Sequence, residues 1–555
     1  LPILKQSSIL MKNHENLLIY GPKGCGKTTF LNLLCKDMND ISPVHMPISC
    51  LTTPKLFIEF LTNHTTVVKP NYLMDNSKTY ALIFDNIDSN NIQLLEFIRM
   101  LATTCAFDLV SENDPKNIKR IKLHNFFIIA ITENIYSLPP RFVSHFTPIQ
   151  VPQPTQNTIR YIFQRISRIF GVDREIIKNL LNFTFEQNIP QFNVLRLLEL
   201  LVHMNKRSCE AGKYQETCLR TILAEFNLFY YHKASTIQKE KFGTDFKTLF
   251  TIKDASVILT DFIEQNTLYV PDIQYKEGEA ELIVKVLAQQ EHLVYEELMF
   301  HFANYNVTHP DKLILKFYKS IITRYNLLQR AISYPSGVAL LKGETGIGRK
   351  TLTKYTCSLK NYEFYELPEV DCDEENLIRI FMNLMIKTIE GKKIVVAYLR
   401  VTDENPKTFE LVKSLIESHC FSIFFSEYEL IGLYHRYKKV ASIDPNFLLS
   451  TFYLIKDKVM MNLRFVISVD NEFDSSQIKN AYSIHYDITD TAEYEDIALV
   501  SLSKSIYRNK CASLPSIFAE IHNSLCPQFL NIHINQFYDF LAAFDNFSQI
   551  ELDNL

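Results

Sequence analysis

Two short stretches carry residues whose types and spacing could do chemistry. The first is GPKGCGKTT, Gly21 to Thr29, which fits G-x-x-x-x-G-K-[ST] in full. Gly21, Gly24 and Gly26, with Pro22 and Cys25 among them, make a turn whose backbone amides can face phosphate. Lys27 would reach the terminal phosphates, Thr28 would ligate magnesium, and Thr29 leads into a helix. The implied ligand is ATP or ADP with Mg2+. The second stretch is GETGIGRKT, Gly343 to Thr351. Its Gly343, Gly346 and Gly348 align with Gly21, Gly24 and Gly26, so the chain holds one long internal repeat. Arg349 stands where Lys27 does; its guanidinium keeps the charge but is bulkier and planar. Lys350 follows, and Thr351 comes one place late for a metal-binding hydroxyl. The two stretches hold six of the chain's 13 glycines. Glycine is thus concentrated where backbone must approach something closely or take positive φ.

Loops of this kind need a strand before them and a helix after. Leu17 to Tyr20 is a short buried-strand candidate, and Phe30, Leu31, Leu33 and Leu34 make a helix face. A second strand, within Thr79 to Asp88, ends in Asp85, the candidate to hold magnesium through water beside Thr28. The competing reading is that Asp85 only closes a buried strand at a turn. A third strand, Phe126 to Ile131, ends at Thr132. Helices are expected over Thr158 to Phe170 and Asp173 to Phe183, and again over PQFNVLRLLELL, which contains Arg196. In the second half, a strand over Val338 to Leu341 precedes the glycine loop and a helix begins near Arg349. The run Ile394 to Leu399 ends in Arg400 and Val401 rather than acids, with Asp403 and Glu404 out of register. Leu463 to Val469 leads to Asp470 and Asn471, which sit where a phosphate sensor would. This second module is expected to hold a nucleotide at most, without hydrolysis; the competing reading is a glycine-rich turn with no ligand.

The chain has 555 residues, enough for about three or four domains. It is 47% hydrophobic and 22% charged, a globular composition. A net charge of −4 and the lack of a basic, aromatic-interleaved stripe argue against nucleic acid as a partner. No apolar run approaches the ~20 residues of a membrane span, so no membrane partner is expected. Leu1 to Leu10 lacks the features of a signal peptide, and the absence of an initial Met suggests a piece of a longer protein. Eleven cysteines without a C-x-x-C pair predict reduced thiols packed as small hydrophobes.

The two loops, their strands and their spacing resemble tandem AAA+ modules. The segment KLILKFYKSIITRYNLLQRAISYPSGVALL, Lys312 to Leu341, resembles the lead-in to the fourth AAA+ module of a dynein heavy chain. There a helix runs into R-x-L-x-x-P-x-G-x-x-L-L; here Arg330, Pro335 and Gly337 carry that pattern. A G-x-x-G-x-G-R-[RK]-T loop looks most like the dynein class of retrograde intraflagellar transport. Phe409 to Leu430 resembles a dynein run leading to an acidic helix, and LPSIFAEIHNSL and FYDFLAAFDNF resemble the segment just before the stalk coiled coil. GPKGCGKTTFLNLL and PPRFVSHF resemble the P-loop and Arg-Phe turn of the third module.

The resemblance implies an α/β fold of two tandem AAA+ P-loop modules, each a parallel sheet flanked by helices plus a helical lid. The expected boundaries are 1–155 for the first large domain and 156–300 for its lid and connecting helices. The second large domain would span 301–490, and 491–555 its lid leading toward a stalk. The resemblance also assigns roles. Asn86 holds the position of the catalytic glutamate and cannot accept a proton, so ATP would be bound and hydrolysed slowly. Thr132 would sense the γ-phosphate, and Arg196 would be a lid arginine touching it. Arg141 would be an arginine finger for the neighbouring module. An ordinary surface arginine and a helix-end arginine are the competing readings of Arg141 and Arg196. Implied partners are the other AAA+ modules of the same heavy chain, microtubules through a stalk, and dynein accessory chains with intraflagellar transport complexes. The implied location is cytoplasmic and cytoskeletal, in a cilium or flagellum. The alternatives are a nucleic-acid-associated AAA+ ATPase and a catalytically dead AAA+ scaffold.

Overall fold

A computed structural model describes residues 2–22, 25–38, 40–48, 54, 58, 79–85, 87, 91–110, 118–170, 174–186, 214–229, 231, 236–249, 258–259, 268–275, 282–289, 291–313, 315, 317–335, 337–344, 346–390, 393–418, 459–478, 481–486, 491–502, 513–525 and 534–553. The chain divides into two compact units, Leu1–Ile159 with Lys407–Gly432, and Arg160–Pro406 with Leu433–Leu555.

The first unit is built on a five-stranded parallel sheet. In chain order its strands are β1 (Leu17–Tyr20), β2 (Ile41–Pro47), β3 (Thr79–Asp85), β6 (Phe126–Thr132) and β7 (Thr147–Gln150), arranged β2-β3-β6-β1-β7. An antiparallel hairpin, β4 (Ala106–Val110) and β5 (Ile118–Lys122), lies between β3 and β6 in the chain. The helices are α1 (Pro2–Lys12), α2 (Lys27–Lys36), α3 (Ile92–Thr104) and the short α4 (Pro140–Val143). Apolar residues alternate between the two faces of the sheet, as strand geometry requires. Leu17 and Ile19 of β1, Ala81 and Ile83 of β3, and Ile129 and Ile131 of β6 pack with Met11 of α1 and Leu31 and Leu34 of α2. Leu18, Leu82, Phe84, Ile128 and Ala130 point the other way, onto Leu94, Ile98 and Leu101 of α3. The result is a three-layer α/β/α sandwich. Helix α3 starts where Asn91 accepts the Leu94 amide at 3.1 Å and stops at Cys105, whose φ of 49° turns the chain out of the helix.

The second unit begins with helices α5 (Gln156–Phe170, from Arg160 onward), α6 (Arg174–Glu186), α7 (Tyr214–Phe229) and α8 (Thr236–Leu249). Phe183, Phe226 and Phe242 join α6, α7 and α8 through edge-to-face contacts at 5.0 to 6.0 Å. Within 156–300, where a lid and connecting helices are expected, an antiparallel hairpin interrupts the helices, β8 (Leu268–Tyr275) with β9 (Leu282–Gln289). Helices α9 (Glu291–Thr308) and α10 (Lys319–Ser333) follow, then a second five-stranded parallel sheet. Its strands are β10 (Val338–Lys342), β11 (Glu363–Glu366), β12 (Val395–Arg400), β13 (Leu463–Val469) and β14 (Tyr482–His485), in the order β11-β12-β13-β10-β14. This repeats the first sheet strand for strand. Around it run α11 (Arg349–Leu359) and α12 (Glu374–Glu390), then, after α13 (Pro406–Ser418), the C-terminal helices α14 (Thr491–Ser501), α15 (Leu514–Leu525) and α16 (Ile534–Asp553). Ala339 and Leu341 of β10 pack with Leu328, Ala331 and Ile332 of α10 and with Leu352 and Tyr355 of α11.

The Arg330–Pro335–Gly337 pattern has a physical basis. Arg330 of α10 forms an ion pair with Glu225 of α7; their side chains are 4% and 0% exposed. A β-carbon on Gly337 would meet the Ala331 carbonyl oxygen at 2.2 Å, so only glycine fits the turn from α10 into β10. Cys35, Cys218 and Cys357 are buried, and burial pushes the Cys357 thiol up to about 12. No helix among the described residues is long and apolar enough to cross a membrane.

Candidate nucleotide sites

The first loop leaves the end of β1 and enters α2, so the positive end of that helix and its free amides face the loop. A β-carbon on Gly21 would meet the Val151 carbonyl oxygen at 2.2 Å. Val151 follows β7 and donates its amide to Tyr20 O at 2.8 Å, which fixes how closely the loop passes. Gly26 caps α2 at φ 89°, a left-handed conformation that glycine takes without strain. Lys27 curls back over the turn and donates to Gly21 O at 2.6 Å and Pro22 O at 3.1 Å. The Thr28 hydroxyl donates to Asp85 Oδ2 at 3.1 Å, joining α2 to the end of β3. Pro22, Thr28 and Thr29 are exposed, and Cys25 is half-buried.

This donor set fits a nucleotide: a lysine on the loop, a free helix N-terminus, and a hydroxyl–carboxylate pair beside it. The pair also suits a hard cation that shares phosphate oxygens with one or two protein groups. Register puts Thr132 beside Tyr20 on the neighbouring strand, 3% exposed, one residue before the loop begins. Gly24, Asn86 and Arg196 lie outside the described residues. Arg141, in α4, is 72% exposed and lies 3.9 Å from the Glu96 carboxylate. That carboxyl is held below its usual range chiefly by the bond from Arg99 at 2.5 Å, with a smaller contribution from Arg141.

The second loop keeps the frame and changes the site. Gly346 and Gly348 take φ of 91° and 86°, and Gly348 caps α11 as Gly26 caps α2. A β-carbon on Gly343 would meet Tyr486 Cβ at 2.8 Å. Tyr486 follows β14 and donates its amide to Lys342 O at 2.7 Å, so it stands where Val151 stands in the first unit. The cations behave differently. Arg349 is 5% exposed and turns toward the sheet. Its Nη1 donates to Val469 O and, at 3.3 Å, to Leu341 O, and its Nη2 lies 3.7 Å from Asp470 Oδ1. Burial lowers the Arg349 pKa from its usual value, and Tyr398 and Asp470 push back. Lys350 pairs with Glu366 at the end of β11. Thr351 is half-buried on α11.

Register shows what became of the acids. Phe84 faces Ala130 in the first sheet, and Leu399 faces Ile467 in the second. With Tyr20 opposite Thr132 and Lys342 opposite Val469, Arg400 takes the place of Asp85 and Val469 that of Thr132. Asp470 was expected at the sensor position; it lies one residue beyond, paired with Arg349. Asp403 and Glu404 are exposed, past a turn that buried Asn405 braces by donating to Arg400 O at 2.7 Å and Pro368 O at 3.2 Å. Sequence reasoning missed Asp470 and Glu366 as partners of the loop cations. No local signal could have shown them, because both pairings depend on the strand order.

Fold and loop geometry define the class: an α/β P-loop module of the AAA+ kind, present twice. Residues 5–154 match the family described as P-loop containing dynein motor region. The chain is 22% identical to human dynein axonemal heavy chain 6 over 254 residues, 41% of this chain and 6% of that protein. It is 19% identical to a cytoplasmic dynein heavy chain of Paramecium tetraurelia over 499 residues, 83% of this chain and 11% of the relative. The chain therefore spans a small fraction of the length of these relatives. Together the similarities support a place in the dynein motor family, and a P-loop module of that family implies nucleotide binding.

Proposed function

We propose that this chain is a regulatory pair of AAA+ modules, the first of them nucleotide-binding, within a dynein heavy-chain motor ring. Its first loop binds ATP or ADP with magnesium and hydrolyses ATP slowly or not at all. In that role it supports ATP-driven, minus-end-directed movement on microtubules, most closely that of retrograde intraflagellar transport in a cilium or flagellum. Its partners are the other AAA+ modules of the same chain, microtubules through a stalk, accessory chains and transport complexes. The observation that carries the reading is the convergence of Lys27, Thr28 and Asp85 at one sheet edge, inside the stretch that matches the dynein motor region. Lys27 and the α2 amides would hold phosphate; Thr28 and Asp85 would hold the metal, which on binding supplies charge neutralisation. Asn86, beside Asp85 in the sequence, offers no carboxylate to activate water. The retrograde assignment rests on the G-x-x-G-x-G-R-K-T form of the second loop.

The test is nucleotide content. The purified chain is denatured and the released ADP and ATP are quantified against Lys27→Ala. Nucleotide in the wild type that disappears from the variant is the expected result, with ATP surviving unhydrolysed. Nucleotide in neither protein removes the proposal. In the complete motor, Lys27→Ala should alter velocity or microtubule release.

A further inference from the structure

We propose that the second glycine loop is closed by its own side chains: Arg349 is a built-in internal ligand that ties the loop to the sheet and keeps nucleotide out. The proposal stands on the geometry of the second unit and does not depend on what the first loop binds.

Three cations surround this loop, and each has a protein acceptor. Arg349 opens α11, as Lys27 opens α2. Lys27 donates to carbonyls of its own loop, Gly21 and Pro22, and a side-chain rotation would bring it to phosphate. Arg349 spans the ends of two strands, giving hydrogen bonds to Leu341 O of β10 and Val469 O of β13 and reaching Asp470. Its planar fork can satisfy two carbonyls and a carboxylate together, which a lysine ammonium does less well. Lys342 Nζ, on the same strand end, donates to Phe473 O in the turn after β13. Lys350 pairs with Glu366. The carbonyl-rich edge where a nucleotide would sit is thus already neutralised from within.

Freeing Arg349 for a phosphate would take a charged donor from Leu341 O and Val469 O, the latter keeping the Gly343 amide at 3.3 Å, and would part the guanidinium from Asp470. The metal that normally helps repay such costs has lost its ligand, because Arg400 stands where Asp85 does and would repel it. On this reading the arginine is not a damaged lysine. It belongs to the fold, and the second module holds one geometry whatever the nucleotide supply.

The experiment uses the full chain with the first site removed. Lys27→Ala and the double variant K27A/R349A are compared by released nucleotide, by titration with a fluorescent ADP analogue, and by thermal unfolding. The expected result is no analogue binding that depends on Arg349, and a fall in unfolding midpoint of roughly 1–4 °C when Arg349 is removed. Nucleotide retained or bound by K27A and lost in K27A/R349A overturns the proposal. So does an unchanged unfolding midpoint. If the alanine variant does not fold, R349K serves instead. It keeps the charge without the fork, and the expected result is a smaller drop in midpoint with no gain of analogue binding. Analogue bound by K27A that R349K leaves intact or strengthens would mark the second loop as a working phosphate site and likewise overturn the proposal.

Discussion

The two loops share a frame and differ in what their cations touch. Each leaves the fourth strand of a β2-β3-β6-β1-β7 type sheet, each begins with a glycine pressed against the residue after the last strand, and each ends in a left-handed glycine at a helix start. In the first, Lys27 stays over the loop and the Thr28–Asp85 pair sits at its mouth. In the second, Arg349 is drawn into the sheet edge and the acid is replaced by Arg400. The glycines therefore serve the fold, since both modules keep them, while the cation and the acid decide whether a ligand site remains. A glycine-rich loop alone is poor grounds for inferring nucleotide; the partners of its lysine or arginine are better grounds.

The comparison assumes that the second frame stands independently of its loop. Its firmest support is the buried Arg330–Glu225 pair behind β10. Arg330→Ala leaves a carboxylate buried without its cation and should cost about 3–5 kcal/mol, the largest single loss expected here. Urea unfolding of the chain measures it, and a loss below about 1 kcal/mol would mean that apolar packing of α10 alone sustains the frame.

A matched pair of glycine substitutions comes next. Gly21→Ala and Gly343→Ala each force a β-carbon into contacts of 2.2 and 2.8 Å, so each should lower stability by about 1–3 kcal/mol. Only Gly21→Ala should also lower nucleotide content. A change in nucleotide content with Gly343→Ala would collapse the distinction between the loops.

What could be read from sequence follows the layers of the fold. The six strands anticipated, β1, β3, β6, β10, β12 and β13, are the ones with neighbours on both sides, and they read as apolar runs because both faces are covered. The four edge strands were missed. β2 carries Pro43 and Pro47, tolerated only at an edge, and β7, β11 and β14 are four-residue strands with mixed exposure. The hairpins escaped notice for a similar reason: IKRIK does not alternate apolar and polar residues, and LYVPDIQY carries Pro271 in its middle. At the first site the loop motif and Asp85 were legible because strand ends fix them. The fate of Arg349 was not, because its acceptor Val469 is 120 residues away and is brought close only by strand order.

The smallest expected effect concerns pH and sharpens the contrast at the second loop. His522, on α15, packs against Tyr494 and Phe537 at 4.7 and 4.6 Å and interacts with Glu344 inside the glycine loop. Burial lowers its pKa from the ordinary 6.5, and Glu344 only partly offsets that. As pH falls through 6.5 the unfolded chain therefore takes up this proton before the folded chain does. The contribution of neutral His522 is full above that pH and declines below it, toward the lowered folded value. Unfolding midpoints measured between about pH 7.5 and 5.5 should drop more for the wild type than for His522→Gln. Equal slopes would mean that the histidine is solvated and that α15 does not sense the second loop. A steeper slope in the wild type would make that loop one whose stability follows protons.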